Sequence, residues 1–166
     1  MTILKGNLIT MALNGEFDVI VHGCNCFNRM RRGIGVDMAR EFKADIVDNE
    51  HHKSKDEDYE EWHKSELLGN IEWYNPNEDF DLVNVPRDLT VVNAYTQYHW
   101  DSNGSPLDYE ALILCMRKIN HQFLGKHIGL PKIGCGLAGG DWNRVREILE
   151  RELVNCNVTV VEFEKQ

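Results

Sequence analysis

The segment from Gly134 to Trp142, Gly-Cys-Gly-Leu-Ala-Gly-Gly-Asp-Trp, constrains the fold of this chain more than any other. It contains four glycines, follows the apolar run at residues 127–130 and precedes an amphipathic segment that begins at Trp142. Because glycine allows close backbone approach and a helix N-terminus attracts anions, we predict that this strand–loop–helix unit binds phosphate. The loop matches neither the Walker pattern nor the dinucleotide fingerprint. A plain flexible connection is the alternative interpretation.

The size of the chain predicts one domain over residues 1–166, since this length can bury a sizeable core and 42% of the residues are hydrophobic. The sequence contains neither a signal-peptide pattern nor an apolar run of membrane-spanning length. Five cysteines, an odd number without a secretory signal, indicate free thiols in a reducing compartment. We therefore expect a cytoplasmic, monomeric protein that does not associate with membranes.

The charge is strongly uneven along the chain. Residues 45–66 contain nine acidic and three basic side chains, so they carry −6 of the net charge of −9. We expect this segment to form an acidic, helical surface excursion. The overall charge argues against bulk nucleic-acid binding, which depends on lysine and arginine. A small phosphate-bearing ligand held by backbone amides is compatible with this overall charge.

Short runs rich in β-branched residues alternate with helical patterns. The predicted strands lie at residues 19–21, 82–85, 91–94, 127–130 and 158–163. A long helix is predicted to begin with Ser105 as its N-cap and Pro106 in its first turn. A shorter one carries Ile34, Met38 and Phe42 on one face. This alternation predicts an α/β domain with a mostly parallel or mixed sheet.

A second cluster, His-Gly-Cys-Asn-Cys at residues 22–26, ends the first predicted strand. It continues through an arginine-rich stretch, residues 29–32, to Gly33, where a helix begins. Ligands of open α/β sheets bind at the carboxyl ends of strands. We therefore predict that the two glycine-containing loops form a two-sided cleft for a phosphate and a polar ligand head.

Four segments together resemble the macrodomain family, which binds ADP-ribose and related metabolites. They are residues 6–10, residues 22–25, residues 33–35 and the Pro-Lys-Ile-Gly-Cys-Gly-Leu-Ala-Gly-Gly-Asp-Trp segment at residues 131–142. The resemblance covers almost the whole chain, and its last segment is long and specific. It implies a single three-layer α/β/α macrodomain with a mixed, mostly parallel central sheet and no cofactor.

The resemblance also implies which residues bind the ligand. The implied adenine contacts are Asn7, where the family usually has aspartate, and Leu8. The implied diphosphate contacts are Gly33, Ile34 and Gly35 on one side and Gly134, Gly136, Leu137, Ala138 and Gly139 on the other. The implied distal-ribose contacts are Asn25 and Tyr95.

Two branches of the family suggest different chemistry. One glycohydrolase branch uses a lysine at the position of Gln97. Glutamine cannot act as a nucleophilic amine, which argues against the lysine-dependent mechanism in this chain. The loop at residues 22–26 is similar to that of phosphatases acting on ADP-ribose-1″-phosphate. Our hypothesis is that His22 acts as the acid, Asp141 orients water and Asn25 positions the substrate.

Other interpretations of the same residues remain open. His22 is alternatively a core histidine, and Asp141 is alternatively a helix N-cap. A zinc site would use His22, Cys24, Cys26 and Cys135. The protein is alternatively a non-catalytic ADP-ribose binder, or a glycohydrolase without the lysine-dependent mechanism. The basic cluster Arg29, Arg31 and Arg32 meets either a terminal phosphate or the acidic segment.

Overall fold

The computed structural model describes residues 1–46, 64–101, 103–104 and 106–164. Most of the predicted acidic excursion, residues 47–63, lies outside the described residues. The strands are β1 (Thr2–Gly6), β2 (Val19–Asn25), β3 (Ile71–Tyr74), β4 (Thr90–Gln97), β5 (His127–Leu130) and β6 (Asn157–Phe163). The helices are α1 (Leu8–Leu13), α2 (Ile34–Phe42), α3 (Pro76–Phe80), α4 (Tyr109–Gln122) and α5 (Trp142–Glu152), with a 3-10 turn at Ala44–Ile46.

The strands form one sheet in the order β1-β6-β5-β2-β4-β3. All neighbouring pairs are parallel except β3 and β4, which are antiparallel. The predicted α/β class with a mixed, mostly parallel sheet is therefore confirmed. Because β2, β4 and β5 run in the same direction, their carboxyl ends meet at one edge of the sheet.

Successive residues of β2 point into two different cores. Val19 and Val21 pack with α4 and α5 on one face, while Ile20 packs with α1 and α2 on the other. All three side chains are buried, which explains why residues 19–21 of this strand are all apolar. Helices therefore cover both faces of the sheet and produce three layers.

Residues 82–85, predicted as a strand, form a turn instead. Val83 is 86% exposed, and Asp81 just before it takes a left-handed conformation (φ 54°) that ends α3. The edge strand next to β4 is Ile71–Tyr74, in which the charged Glu72 interrupts the apolar run that would signal a strand. The apolar residues at 82–85 belong to a turn after a short helix, so their hydrophobicity does not indicate a buried strand.

Helix α4 begins later than the sequence predicts. Its N-cap is Asp108, whose Oδ1 accepts from the backbone N–H of Ala111 at 2.9 Å. Leu107 is instead tied to the second glycine loop, because its N–H donates to the carbonyl of Ala138 at 3.1 Å. Ser105 lies outside the described residues.

All five cysteines are free thiols. Among the helices of the described ranges, none combines the length and apolar composition that crossing a bilayer requires.

Candidate functional site

A cleft of about 340 Å³ opens at the carboxyl ends of β2, β4 and β5. Two loops form its sides, residues 29–35 after β2 and residues 131–138 after β5. Residues 23–25 at the end of β2, Gln97 at the end of β4 and Trp100 beyond it also line the cleft. The predicted two-sided arrangement of glycine loops is therefore present in the structure.

The second glycine loop is folded tightly on itself. Gly134 has φ +72°, and its carbonyl accepts from the N–H of Gly140 at 2.8 Å. The carbonyl of Gly136 accepts from the N–H of Gly139 at 3.1 Å. A Cβ atom added at Gly140 would lie 2.6 Å from the carbonyl oxygen of Gly134. The turn therefore requires glycine at positions 134 and 140.

The middle of this loop offers unused hydrogen-bond donors to the cleft. The backbone amides of Gly136, Leu137 and Ala138 donate to no acceptor within the described part of the chain. All three residues line the cleft, and a Cβ added at Gly136 would meet nothing within 4 Å. Successive free amides of this kind form a concave anion site. The loop is therefore built to receive a phosphate group.

The first loop is organised by the side chain of Asn25. Its Oδ1 accepts from the N–H groups of Phe27 and Arg29, each at 3.1 Å. Its Nδ2 donates to the carbonyl of Arg29 at 2.9 Å. Asn25 lines the cleft as predicted, but these bonds make its side chain an organiser of the loop.

Helix α2 points its N-terminus toward the cleft. Its N-cap is Gly33, which has φ +57°, and Ile34 and Gly35 form the first turn. First-turn amides have no partner inside a helix, and the helix dipole adds partial positive charge there. Gly33, Ile34 and Gly35 all line the cleft opposite the second loop. An anion between the loops would thus meet donors on both sides.

The cleft is positively charged although the protein is acidic. The charged residues in its lining are Arg29, Arg31, Arg32 and Lys132, and the described lining residues include no aspartate or glutamate. The guanidinium carbon of Arg29 lies 4.3 Å from the centre of the Trp100 ring, which fixes it by a cation–π contact. The cleft therefore favours an anionic ligand.

Comparison with known proteins agrees with this geometry. No protein-family model matches the chain. A relative from Enterobacteria phage T4, an uncharacterized 17.5 kDa protein in the tk-vs intergenic region, is 26% identical over 165 residues, covering 97% of this chain and 95% of the phage protein.

The macrodomain of Thermus aquaticus DarG superposes with a TM-score of 0.65 at 19% identity, covering 99% of this chain and 97% of that chain. Thermosipho africanus DarTG in complex with ADP-ribose gives a TM-score of 0.69 at 16% identity, covering 98% of this chain and 41% of that chain. The chain has the macrodomain fold.

His22 lies in the core of the domain and does not line the cleft. Asn93 Nδ2 donates to the carbonyl of Ala44 at 3.0 Å, so Asn93 Oδ1 accepts from Nε2–H of His22 at 2.6 Å. Burial lowers the pKa of His22 to about 4, and the bond to Asn93 opposes this only in part. A neutral, enclosed imidazole argues against the hypothesis that His22 is the acid.

This buried histidine makes stability depend on pH. Because its pKa falls from 6.5 to about 4 on folding, the unfolded chain binds a proton between these values and the folded chain does not. The contribution of His22 to the free energy of unfolding has its full value above pH 6.5. It falls by about 3 kcal/mol as the pH is lowered from there to about 4.

Urea unfolding at pH 7 and pH 5 tests this pH dependence, with His22→Gln as the reference. Between the two pH values we expect the wild type to lose about 2 kcal/mol more than the variant. Equal losses in both proteins would show that His22 is not buried in its neutral form.

Asp141 serves as the N-cap of α5. Its Oδ1 accepts from the N–H of Asn143 at 2.9 Å, and its own N–H donates to the hydroxyl of Tyr109 at 2.8 Å. It does not line the cleft. The structure thus supports the N-cap interpretation rather than a role in orienting water.

Several residues implied by the family resemblance also lie away from the cleft. Tyr95 is fully buried, its hydroxyl donates to Glu72, and burial raises the pKa of this phenol well above its usual range. Gly139 closes the second loop and contributes nothing to the lining. Leu8 is buried in the core under α1. These positions correct the contacts expected for Tyr95, Gly139 and Leu8.

Asn7 follows β1 at the same sheet edge as the cleft, beyond β6. Its Oδ1 caps α1 by accepting from the N–H of Thr10 at 3.1 Å. Next to it, Gly6 pairs in register with Phe163, whose side chain is 70% exposed. Neither Asn7 nor Phe163 belongs to the described lining of the cleft.

Two residues that line the cleft were not among the predicted site residues. Lys132 lies two residues after the end of β5, and its Nζ lies 3.2 Å from Glu162 Oε1, so it links the second loop to β6. Trp100 is 37% exposed at the end of the cleft and stacks on His99, with ring centroids 3.7 Å apart. A charged or aromatic residue just past a strand end was the signal in both cases.

The alternative interpretation of His22, Cys24, Cys26 and Cys135 as a zinc site finds no support among the described residues. Within the described ranges, no group of three or more His, Cys, Asp or Glu side chains is placed to hold a metal ion. Cys24 lines the cleft, but burial raises its thiol pKa well above the usual value. Burial likewise raises the thiol pKa of Cys135. Neither thiol has the low pKa of an activated nucleophile.

Proposed function

We propose that this protein binds ADP-ribose, with the diphosphate between the two glycine loops. The observation that carries the proposal is the pair of facing donor sets, the free amides of residues 136–138 and the N-terminus of α2. A diphosphate has acceptor oxygens on both sides and matches this arrangement. The fold shared with a DarTG protein solved in complex with ADP-ribose supports the choice of ligand.

The strand order suggests how the rest of the ligand lies. Asn7 and exposed Phe163 sit at the β1 and β6 side, where an amide and an aromatic ring can recognise adenine. Gln97 and Trp100 lie on the β4 side, at the opposite end. We therefore place the adenosine toward β6 and the distal ribose toward β4.

The cleft favours binding over hydrolysis. Its described lining contains no histidine, aspartate or glutamate, which are the usual groups for proton transfer. The lysine in the lining, Lys132, is engaged with Glu162. Phosphate release from ADP-ribose-1″-phosphate is the second candidate function, favoured by Arg31 and Arg32, whose charges can stabilise a transferred phosphoryl group.

Two measurements test the proposed function and separate it from the second candidate. Isothermal titration calorimetry with ADP-ribose should show one site, with weaker binding of AMP as the control. Phosphorus NMR with ADP-ribose-1″-phosphate should show broadened but intact signals. Release of inorganic phosphate would establish the phosphatase instead, and absence of binding by every ligand would overturn both functions.

A further inference from the structure

One residue of β4 has no register partner on the neighbouring strand β2. The register runs from Cys24 opposite Tyr95 directly to the next residue of β2 opposite Gln97. Thr96 is therefore the extra residue at this shift, as in a β-bulge. Bulges re-aim side chains and are frequent beside binding sites. The shift lies at the edge of the sheet where the cleft opens, and Thr96 lines that cleft.

The hydroxyl of Thr96 has no partner in the protein. The residue is only 2% exposed, and its carbonyl accepts from the N–H of Asp108 at 2.9 Å. Within the described part of the chain, its Oγ1 makes no hydrogen bond, and this oxygen is open to the cleft. A ligand that fills the cleft displaces water from this hydroxyl. It must then supply a hydrogen bond in return or lose affinity.

Gly23 on β2 leaves the space beside this hydroxyl open. A Cβ atom added at Gly23 would lie 3.0 Å from Thr96 Oγ1 and 3.1 Å from Ile133 Cγ1. Gly23 continues the alternation of Val19 and Val21, yet it is exposed where those two side chains are buried. Gly23, Thr96 and Ile133 all line the cleft. A polar hydroxyl is thus presented where two strands end without a covering side chain.

The strand order shows which part of the ligand this hydroxyl meets. Strands β2 and β5 separate β4 from β6, so Thr96 lies on the side of the sheet away from Phe163. The free amides of residues 136–138, which we assign to the diphosphate, follow β5. In the orientation proposed above, Thr96 faces the distal ribose.

The side chain that the family resemblance implies for this ribose is largely engaged elsewhere. Asn25 Oδ1 accepts from two backbone N–H groups, and Asn25 Nδ2 donates to the carbonyl of Arg29. Only one N–H of Asn25 is left for a ligand. A ribose hydroxyl both donates and accepts, and a threonine hydroxyl matches it in either sense.

We propose that the Thr96 hydroxyl hydrogen-bonds a hydroxyl group of the distal ribose from the floor of the cleft. Thr96 is then the residue that makes the site prefer ADP-ribose to ADP, which lacks this sugar. The inference rests on the proposed ADP-ribose binding and assigns the recognition of the sugar to Thr96 rather than to the side-chain oxygen of Asn25.

Calorimetry with ADP-ribose and ADP tests the inference on two variants. Thr96→Val keeps nearly the same shape but removes the hydroxyl, and Thr96→Ser keeps the hydroxyl as the matched control. Thr96→Val should bind ADP-ribose about tenfold more weakly than wild type, the effect of one lost hydrogen bond. It should bind ADP within about twofold of wild type, and Thr96→Ser should bind ADP-ribose within about threefold.

Thermal unfolding without ligand separates a binding role from a structural one. Because the Thr96 hydroxyl has no partner among the described residues, Thr96→Val should melt at or above the wild-type temperature. A lower melting temperature of Thr96→Val would show that the hydroxyl stabilises the fold, and this would contradict the inference.

The other outcomes are equally distinct. Equal ADP-ribose affinity in wild type and Thr96→Val, or an equal loss for ADP and ADP-ribose, would overturn the ribose contact while leaving the proposed function intact. A loss in Thr96→Ser as large as in Thr96→Val would show that the methyl group matters instead of the hydroxyl. If the wild type does not bind ADP-ribose, the proposed function fails, and the inference fails with it.

Discussion

Replacing Gly136 with valine is expected to lower the affinity for ADP-ribose by at least about 100-fold, since it removes several charge-assisted hydrogen bonds. Gly136 lines the cleft between the two loops, and open space lies where its Cβ would stand. A branched side chain there occupies the position proposed for the diphosphate. The same open space means that folding is unaffected, so the melting temperature should not change. Calorimetry and thermal unfolding measure the two quantities separately.

The matched control for this variant is Gly136→Ala, which adds a single carbon to the same open space. It should give an intermediate loss of affinity and the same melting temperature. Unchanged binding by Gly136→Val would show that the diphosphate does not lie against the second loop. A fall in melting temperature would instead mean that the loop is packed more tightly than the structure indicates.

Gly140→Ala, unlike Gly136→Val, is expected to cause a large loss of stability. Its Cβ would lie 2.6 Å from the carbonyl oxygen of Gly134 and 2.6 Å from Leu107 Cδ2. Backbone cannot move away as a flexible side chain can, and the bond from Gly140 N–H to this carbonyl would be strained. We expect the free energy of unfolding to fall by about 2–3 kcal/mol.

Thermal unfolding tests this expectation, because a loss of that size lowers the melting temperature of a domain of this length by about 5–10 °C. Gly136→Ala, four residues earlier in the same loop, provides the comparison. A melting temperature of Gly140→Ala within about 1 °C of wild type would contradict the described loop geometry. We also expect weaker ADP-ribose binding, since the loop must shift to accept the methyl group.

The substitutions at Gly136 and Gly140 are expected to have different effects because the two glycines have different surroundings. Amino-acid composition does not reveal this difference. Gly136 and Gly140 lie in one motif, yet one faces open space and the other touches the carbonyl of Gly134. That contact exists because the loop folds back and Leu107 packs beneath it. Glycine content alone therefore predicted a phosphate loop but not the role of each glycine.

Several parts of the fold that follow from local patterns were predicted correctly, although the strand predicted at residues 82–85 was not. Residues 19–21 are apolar and β-branched at every position, which is typical of a strand buried on both faces, and they lie in the centre of the sheet. Met38 and Phe42 mark the buried face of α2 as expected. The strand, the glycine loop and the helix that begins at Trp142 follow one another in the predicted order. Periodicity and glycine spacing are properties of neighbouring residues, so the chain alone reveals them.

The roles of the polar residues depend on distant parts of the chain. His22 is neutral because the packed sheet buries it, and its hydrogen-bond partner Asn93, 71 residues away, lies opposite it in the adjacent strand. Tyr95 is buried away from the cleft, where its hydroxyl donates to Glu72 on β3, and Phe163 lies opposite Gly6, the residue before Asn7, because β6 pairs with β1. Solvent exposure and hydrogen-bond partners are set when strands far apart in the chain come together. A sequence pattern therefore indicates the loops of the cleft, and the packing of the sheet determines which side chains reach it.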